Sequence, residues 1–393
     1  MTISVKTPVR IAIAAAAALM AFPAVAQDTV KIGLIVPLSG PFAPTGRQIE
    51  AGARTFMAHN GTTVVGKKIE LIVKDDGNVA ENTQRLAREM VVNEKVNILA
   101  GFGLTPLALA AAPIATQGKT PMVIMAAATG IIPDRSPYIV RTSMVTSQLV
   151  VGVADWAPKN NIKRVVTLVS DYAPGIDIEA AFSSRFKAAG GEIIEQLRVP
   201  LANPDFAPFL QRAADAKPDA LFVFVPAGVG AILMKQFQER GLDKSGIKLI
   251  GTGDMTDDDI LNNMGDVALG ITTSHHYSAA HPSALNTRFV GDFKKANNNM
   301  RPNFMAVGGY DGMAAIYKAL EKTKGSTDGD ALVEAMKGLS WESPRGPISI
   351  DPATRDIVQN IYVRKVEKVG GELYNVEFAT IPNVKDPVKA AKQ

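Results

Sequence analysis

Residues 97–126 read NILAGFGLTPLALAAAPIATQGKTPMVIMA. Asn97–Gly101 is a short apolar run of strand type, and Met122–Ala126 is another. Between them Thr105–Gln117 has a helix former at almost every position. Thr105 is placed to act as N-cap, with Pro106 at the first helical position. Strand, helix and strand within thirty residues form a βαβ unit, and a crossover helix implies a parallel sheet.

The same alternation continues on both sides. Upstream, Val30–Leu38 is a β-rich run that ends at Ser39-Gly40. Gly46–Asn60 has helical spacing through Ile49, Ala53, Phe56 and Met57. Lys68–Lys74 alternates Ile69, Leu71 and Val73 on one face, and Val79–Asn93 is again helical. Downstream the rhythm restarts, with strands at Lys163–Val169, Glu192–Val199, Ala220–Val225 and Lys248–Ile250. Helices are expected at Gly175–Ala189, Asp205–Ala216 and Val229–Arg240. The predicted class is therefore α/β, with two doubly wound sheets in succession. The last third is less regular. Helix patterns at 284–297, 304–323 and 328–338 precede strand patterns at 346–350, 357–366 and 373–378. The Lys-rich tail 382–393 is expected to fray.

The chain has 393 residues, 47% of them hydrophobic and 20% charged, an ordinary globular composition. Two domains are expected at this length. The formal net charge is only +4, and like charges form no long block, so nucleic acid is not an expected partner. The absence of Cys excludes disulfides, thiol catalysis and thiolate metal sites.

Residues 1–26 have the form of a secretory signal. Lys6 and Arg10 precede the unbroken apolar run Ile11–Phe22, and Ala24-Val25-Ala26 offers a small-x-small cleavage pattern before Gln27. Twelve residues are too few to span a hydrocarbon core of about 30 Å. Cleavage after Ala26 would leave 40 basic and 38 acidic residues. An exported, Cys-free chain with no lipidation site points to the periplasm.

Ligands of open parallel sheets bind beyond the carboxyl ends of the strands, where loops feed helix N-termini. Six loops of this kind occur. The first contains Phe42 and Thr45. The second, Gly101–Pro106, fails the dinucleotide spacing because Pro106 stands where the third Gly belongs, but a helix start offers amides to an anion. The third is Ala126–Gly130, which is small and carries the Thr129 hydroxyl. The fourth contains Tyr172, the fifth is Pro226-Ala227-Gly228, and the sixth places Asp254 after Gly residues. Asp257 is most simply an N-cap, and Asp257–Asp259 a solvated first turn. His275 and His276 are neighbours on a strand pattern, so their side chains should point to opposite faces and not share a metal. His276 and Tyr277 are instead candidate cleft residues. The chain lacks a G-x-S-x-G elbow, a phosphate-binding P-loop and an H-E-x-x-H motif. A two-carboxylate hydrolase remains open on sequence grounds, although no pair stands out.

The stretches IGLIVPLSGPFAPTG, ELIVKDDGNVAENTQRLAREMV, FGLTPLALAAAPIATQGKTPMV, VVTLVSDYAPG, FAPFLQRAADAKPDALFVF, IGTGD and MGDVALGITTSHHYS, in this order, resemble the periplasmic leucine/isoleucine/valine-binding protein family. These are type I solute-binding proteins of ABC importers, and the resemblance covers 28–378. It implies two α/β lobes joined by three hinge crossings. Lobe 1 would be 28–144 plus 277–355, and lobe 2 would be 145–276 plus 356–393. It further implies that Thr45, Thr105, Ala127 and Thr129 hold a ligand carboxylate from the first lobe, with Tyr172, Ala227 and Asp254 facing it from the second. Asp254 would meet an ammonium or a ligand hydroxyl. Amino-acid binders carry an aromatic residue near Pro226-Ala227, and the small loop here departs from that. The SDYAPG and HHYS segments are more similar to relatives that bind aromatic carboxylates. The implied protein is a monomer without cofactor or metal. It would capture a branched-chain or other apolar amino acid, or an aromatic acid, for a permease of the inner membrane. A ligand-sensing module for a receptor is the alternative.

Overall fold

The computed structural model describes residues 1–4 and 28–392. The signal-peptide reading rests on positions that lie almost wholly outside the described residues. No described helix is long and apolar enough to cross a membrane.

Two open sheets organise the chain. The first has six strands in the order Thr63–Val64, Lys67–Asp75, Thr29–Val36, Ile98–Gly101, Met122–Ile124, Ile139–Arg141. Only the first pair is antiparallel. Ile98–Gly101 is buried throughout, as a parallel strand covered on both faces must be. The second sheet has nine strands. Its parallel part runs Glu192–Val199, Arg164–Ser170, Ala220–Phe224, Lys248–Thr252, Thr272–His275. Ile357–Val369 then adds antiparallel to Thr272–His275, and Glu372–Val384 pairs with it.

Each sheet has a point where the winding reverses. Thr29–Val36 lies between Lys67–Asp75 and Ile98–Gly101, and Arg164–Ser170 lies between Glu192–Val199 and Ala220–Phe224. Loops from the two central strands at each reversal part to opposite faces and leave a crevice at their carboxyl ends.

After Thr272–His275 the chain returns to the first sheet. The helix Phe304–Lys322 lies along Ala43–Asn60, and Phe56 meets the rings of Tyr310 and Tyr317 edge-on, each at 5.0 Å. The ribbon Ser340–Ser343 and Gly346–Ile350 bonds to the second sheet through Ile350 opposite Ile357. Its Ile348 and Ile350 side chains nevertheless belong to the core of the first.

The tail does not fray as its composition predicts. Residues 382–384 end the strand Glu372–Val384, and Pro387–Ala390 is a short helix. Asp386 accepts from the Ser147 hydroxyl at 2.7 Å. The Lys389 ammonium sits 3.0 Å from Asp134 and 2.9 Å from Asp356. Acids held in place by the body of the protein supply the partners that the lysine would otherwise find in water.

Candidate functional site

Helix N-termini come unusually close to strand ends in both halves. A Cβ on Gly46 would stand 1.8 Å from the Pro37 carbonyl oxygen, and one on Gly175 would stand 1.9 Å from that of Ser170. Only glycine permits either approach. Each brings the first turn of a helix, Ala43–Asn60 or Ala173–Ala188, against the crevice of its sheet. The loop ends of the two sheets face each other across a cavity.

From the first sheet the lining includes Phe42, Thr45, Leu104, Thr105, Ala127 and Ala128. Thr105 is the first residue of the helix Thr105–Gly118 and not its N-cap, a correction to the sequence expectation. Leu104 takes the cap position with extended backbone and no side-chain bond. The hydroxyl of Thr105 is therefore not spent on its own helix. It meets the Thr129 hydroxyl at 2.9 Å, and both residues are buried. Thr129 supports Thr105 and is not itself part of the lining. The first amides of the helix have no intrahelical acceptors and carry partial positive charge.

From the second sheet come Tyr172, Ile178, Phe224, Ala227 and Asp254. The Tyr172 ring stacks on Phe224 with centroids 6.1 Å apart and planes 12° apart. Burial, then the charge of Asp254, push the Tyr172 phenol far above its ordinary range, so it stays a neutral donor. Asp254 is only 3% exposed. Its Oδ2 makes no hydrogen bond by strict geometry, and the nearest ring nitrogen, His275 Nε2, is 3.4 Å away. Among the described residues no Lys or Arg lines the cavity, and Asp254 is its one carboxylate. The end near the first sheet is thus rich in hydroxyl and amide donors, and the other end presents a buried acceptor.

Contacts between the halves hold the cavity shut. Phe42, Leu104 and Leu107 pack together with Leu201. The Asn303 amide donates to Asp257 Oδ2 at 3.1 Å while its carbonyl oxygen caps the helix Phe304–Lys322.

Six expected residues, Thr45, Thr105, Ala127, Tyr172, Ala227 and Asp254, line one cavity, with Thr129 directly behind. Tyr277 does not line it. Its ring is buried in the first core, and its hydroxyl donates to Asn286 at 3.0 Å. Two further expectations need correction. Asp257 and Asp258 are not a solvated turn but are buried, with carboxyls pushed up by that burial. The following short helix, Leu261–Met264, is capped at Ile260, and Asn303 and Asn375 take the place of water around the two acids. His275 and His276 do not diverge, because the strand ends at His275. Their rings stack at 4.5 Å. No group of three or more His, Asp or Glu is placed to hold a metal among the described residues. Met144, Thr146, Leu149 and Met305 also line the cavity. Met144 and Thr146 follow the strand Ile139–Arg141, which the sequence reading did not place, and Leu149 and Met305 lie within helices, so the six loops gave no signal for them.

A two-lobed α/β molecule with an interlobe cavity, lined by donors at one end and an acceptor at the other, is a ligand-capturing protein. Residues 29–371 match the family model described as periplasmic binding protein. The Leu/Ile/Val-binding protein homolog 6 of Brucella melitensis is 44% identical over 372 residues, which is 94% of this chain and 95% of the relative. A solute-binding protein of an ABC transporter from Rhodopseudomonas palustris BisB5, solved with 3,4-dihydroxybenzoic acid, is 64% identical. The match covers 92% of this chain and all of that one, with a TM-score of 0.91. A second such protein, from Rhodopseudomonas palustris HaA2 with p-hydroxybenzoic acid, is 41% identical over 93% of this chain and all of that one, with a TM-score of 0.89. The chain belongs to the periplasmic binding protein family, of the Leu/Ile/Val-binding type, and is a periplasmic ligand-binding component.

Proposed function

We propose that this protein captures a hydroxylated aromatic carboxylate, of the hydroxybenzoate kind, and presents it to the permease of an ABC importer. The cavity lining carries this reading. A carboxylate is matched by the Thr105 hydroxyl and by Thr45, with no cation required. The flat ring fits a narrow space walled by Phe42, Tyr172 and Phe224. A ring hydroxyl is matched by Asp254, whose buried Oδ2 otherwise lacks a donor. Ala227 leaves room for the ring where an aromatic side chain would narrow the second wall. The aromatic acids bound by the two Rhodopseudomonas palustris relatives favour this ligand class.

The lobes of this reading are 28–144 plus 277–355 and 145–276 plus 356–393. Ligand contacts from both lobes exist together only when they are closed, so the ligand shifts the population toward that form. In this reading the protein acts as a monomer and without catalysis. Export removes residues 1–26, and the mature chain starts at Gln27.

Calorimetry with 4-hydroxybenzoate, 3,4-dihydroxybenzoate, benzoate and leucine tests the ligand class. The hydroxylated acids are expected to bind and to be recovered unchanged, and leucine to give no heat. A ligand at a hundredfold excess over Kd stabilises by about 2.7 kcal/mol, so the order should reappear in thermal melting. Leucine binding without hydroxybenzoate binding would overturn the proposal.

A further inference from the structure

Behind Asp254 lies a feature that ligand capture as described does not use. His275 and His276 are both fully buried, and none of their four ring nitrogens has a hydrogen-bond partner by strict geometry. Burying an unpaired polar atom is unfavourable, and native folds seldom do it four times in one place. The two imidazoles stack on each other, and Phe304 closes over them at 4.3 Å from His275 and 6.0 Å from His276. Among the described residues, the only carboxylate within 4 Å of a nitrogen of either ring is that of Asp254, 3.4 Å from His275 Nε2.

The protonation state of this pair follows from its surroundings. Burial first, then the charge of Arg364 and Arg345, favours neutral His275, and Asp254 opposes them. His276 is held neutral more firmly, by burial, His275 and the same two arginines. A neutral imidazole has one N–H and one bare nitrogen. A carboxylate oxygen can only accept, so the nitrogen facing Asp254 must be the one that bears hydrogen. His275 then places Nε2–H beside Oδ2, at 3.4 Å and outside full hydrogen-bond geometry.

We propose that His275 is a positioning residue for ligand specificity: its Nε2–H holds the Asp254 carboxylate in the orientation that accepts a ring hydroxyl. The 3.4 Å separation is long for a full hydrogen bond, so the carboxylate retains acceptor capacity for the ligand. Two donors, one from the protein and one from the ligand, share one buried acid. A ligand that lacks the hydroxyl leaves this acid with the distant imidazole alone. Selection for a hydroxylated ring over a bare one therefore depends on His275, which does not itself line the cavity.

This inference rests on the hydroxybenzoate reading, and the test separates the two. Calorimetry on the full mature chain measures the ratio of affinities for 4-hydroxybenzoate and benzoate in the wild type, His275→Leu, His275→Gln and His275→Asn. The Gln amide reaches the position of Nε2, whereas the Asn amide stops near Nδ1. Leu and Asn are expected to reduce the ratio about tenfold, the effect of losing a hydrogen bond to a charged group. Gln should restore it to within about threefold of the wild type. If Leu does not fold, Asn against Gln makes the same comparison. A ratio unchanged in Leu or Asn, or equal losses in Gln and Asn, would overturn the role of His275 and leave the ligand class standing. A wild type that binds both acids equally, or that binds leucine instead, would overturn the reading beneath it as well.

Discussion

The hydroxyls of Thr105 and Thr129 stand 2.9 Å apart, one donating to the other, in a place that water does not reach. The pair has two hydroxyl hydrogens and uses one between its members, so one remains for a ligand. Thr105→Val removes the hydroxyl that lines the cavity and is expected to weaken 4-hydroxybenzoate about tenfold, since the acceptor is charged. Thr129→Val should weaken it less, and the double variant should fall short of the sum because the two residues act as one unit. Calorimetry on the four proteins decides this. Additive losses would mean that each hydroxyl works alone.

Asp254 is the complementary end. Asp254→Ala removes the buried acceptor, and affinity for 4-hydroxybenzoate is expected to fall about tenfold or more, with a smaller change for benzoate. Equal losses for the two acids would show that Asp254 shapes the cavity and does not read the hydroxyl.

Asp257 couples the contact between the halves to pH. Burial, then Asp259 and Asp258, raise its carboxyl well above the ordinary range, and the bond from Asn303 opposes them only in part. A carboxyl whose folded pKa lies above its unfolded value of about 3.9 binds more protons in the folded state. Its ionisation penalty is absent below the unfolded value and grows as pH rises through the folded one. Asp257→Asn keeps an acceptor for Asn303 and removes the titration. The variant should melt higher than the wild type at pH 7.5, by about 2 °C or more. The gap should narrow toward pH 4.5. A gap that stays constant with pH would sink the assignment.

Arg345 and Asp311 form an ion pair with no exposure on either side, at 2.9 Å. Arg345 also donates to the Ser143 carbonyl and the Gln359 side chain, both at distances below 3 Å, and to the Thr142 carbonyl. It thereby joins the segment after the last strand of the first sheet to the strand Ile357–Val369. Asp311→Ala leaves a buried guanidinium without its carboxylate and is expected to cost about 3–5 kcal/mol in urea unfolding. A loss under about 1 kcal/mol would mean that the carbonyls alone suffice.

Much of the cavity was legible because strand ends and helix starts carry local signals. Apolar periodicity placed the strands, and Gly, Pro and Thr marked the loops that follow them. The loop rule for parallel sheets then selected Thr105, Tyr172 and Asp254, which do meet across one space. Thr105 was assigned the wrong local role because a hydroxyl before proline at a helix start is ordinarily a cap, and only the backbone conformation of Leu104 shows otherwise. The tail and Asp257–Asp259 depart from their sequence expectation for a shared reason. Charge in the sequence reads as exposure until a distant partner such as Asp356 or Asn303 is known.

The amino-acid sequence by itself determined the alternation of strands and helices, the presence of two such units and the loops at their carboxyl ends, because those depend on residues within a turn or two of each other. Tertiary structure alone decided that His275 and His276 stack behind Asp254, and that Met144, Leu149 and Met305 close the cavity. These are contacts across many residues of chain. They are fixed by which apolar faces and buried charges find each other in space, and periodicity along the chain carries no trace of that.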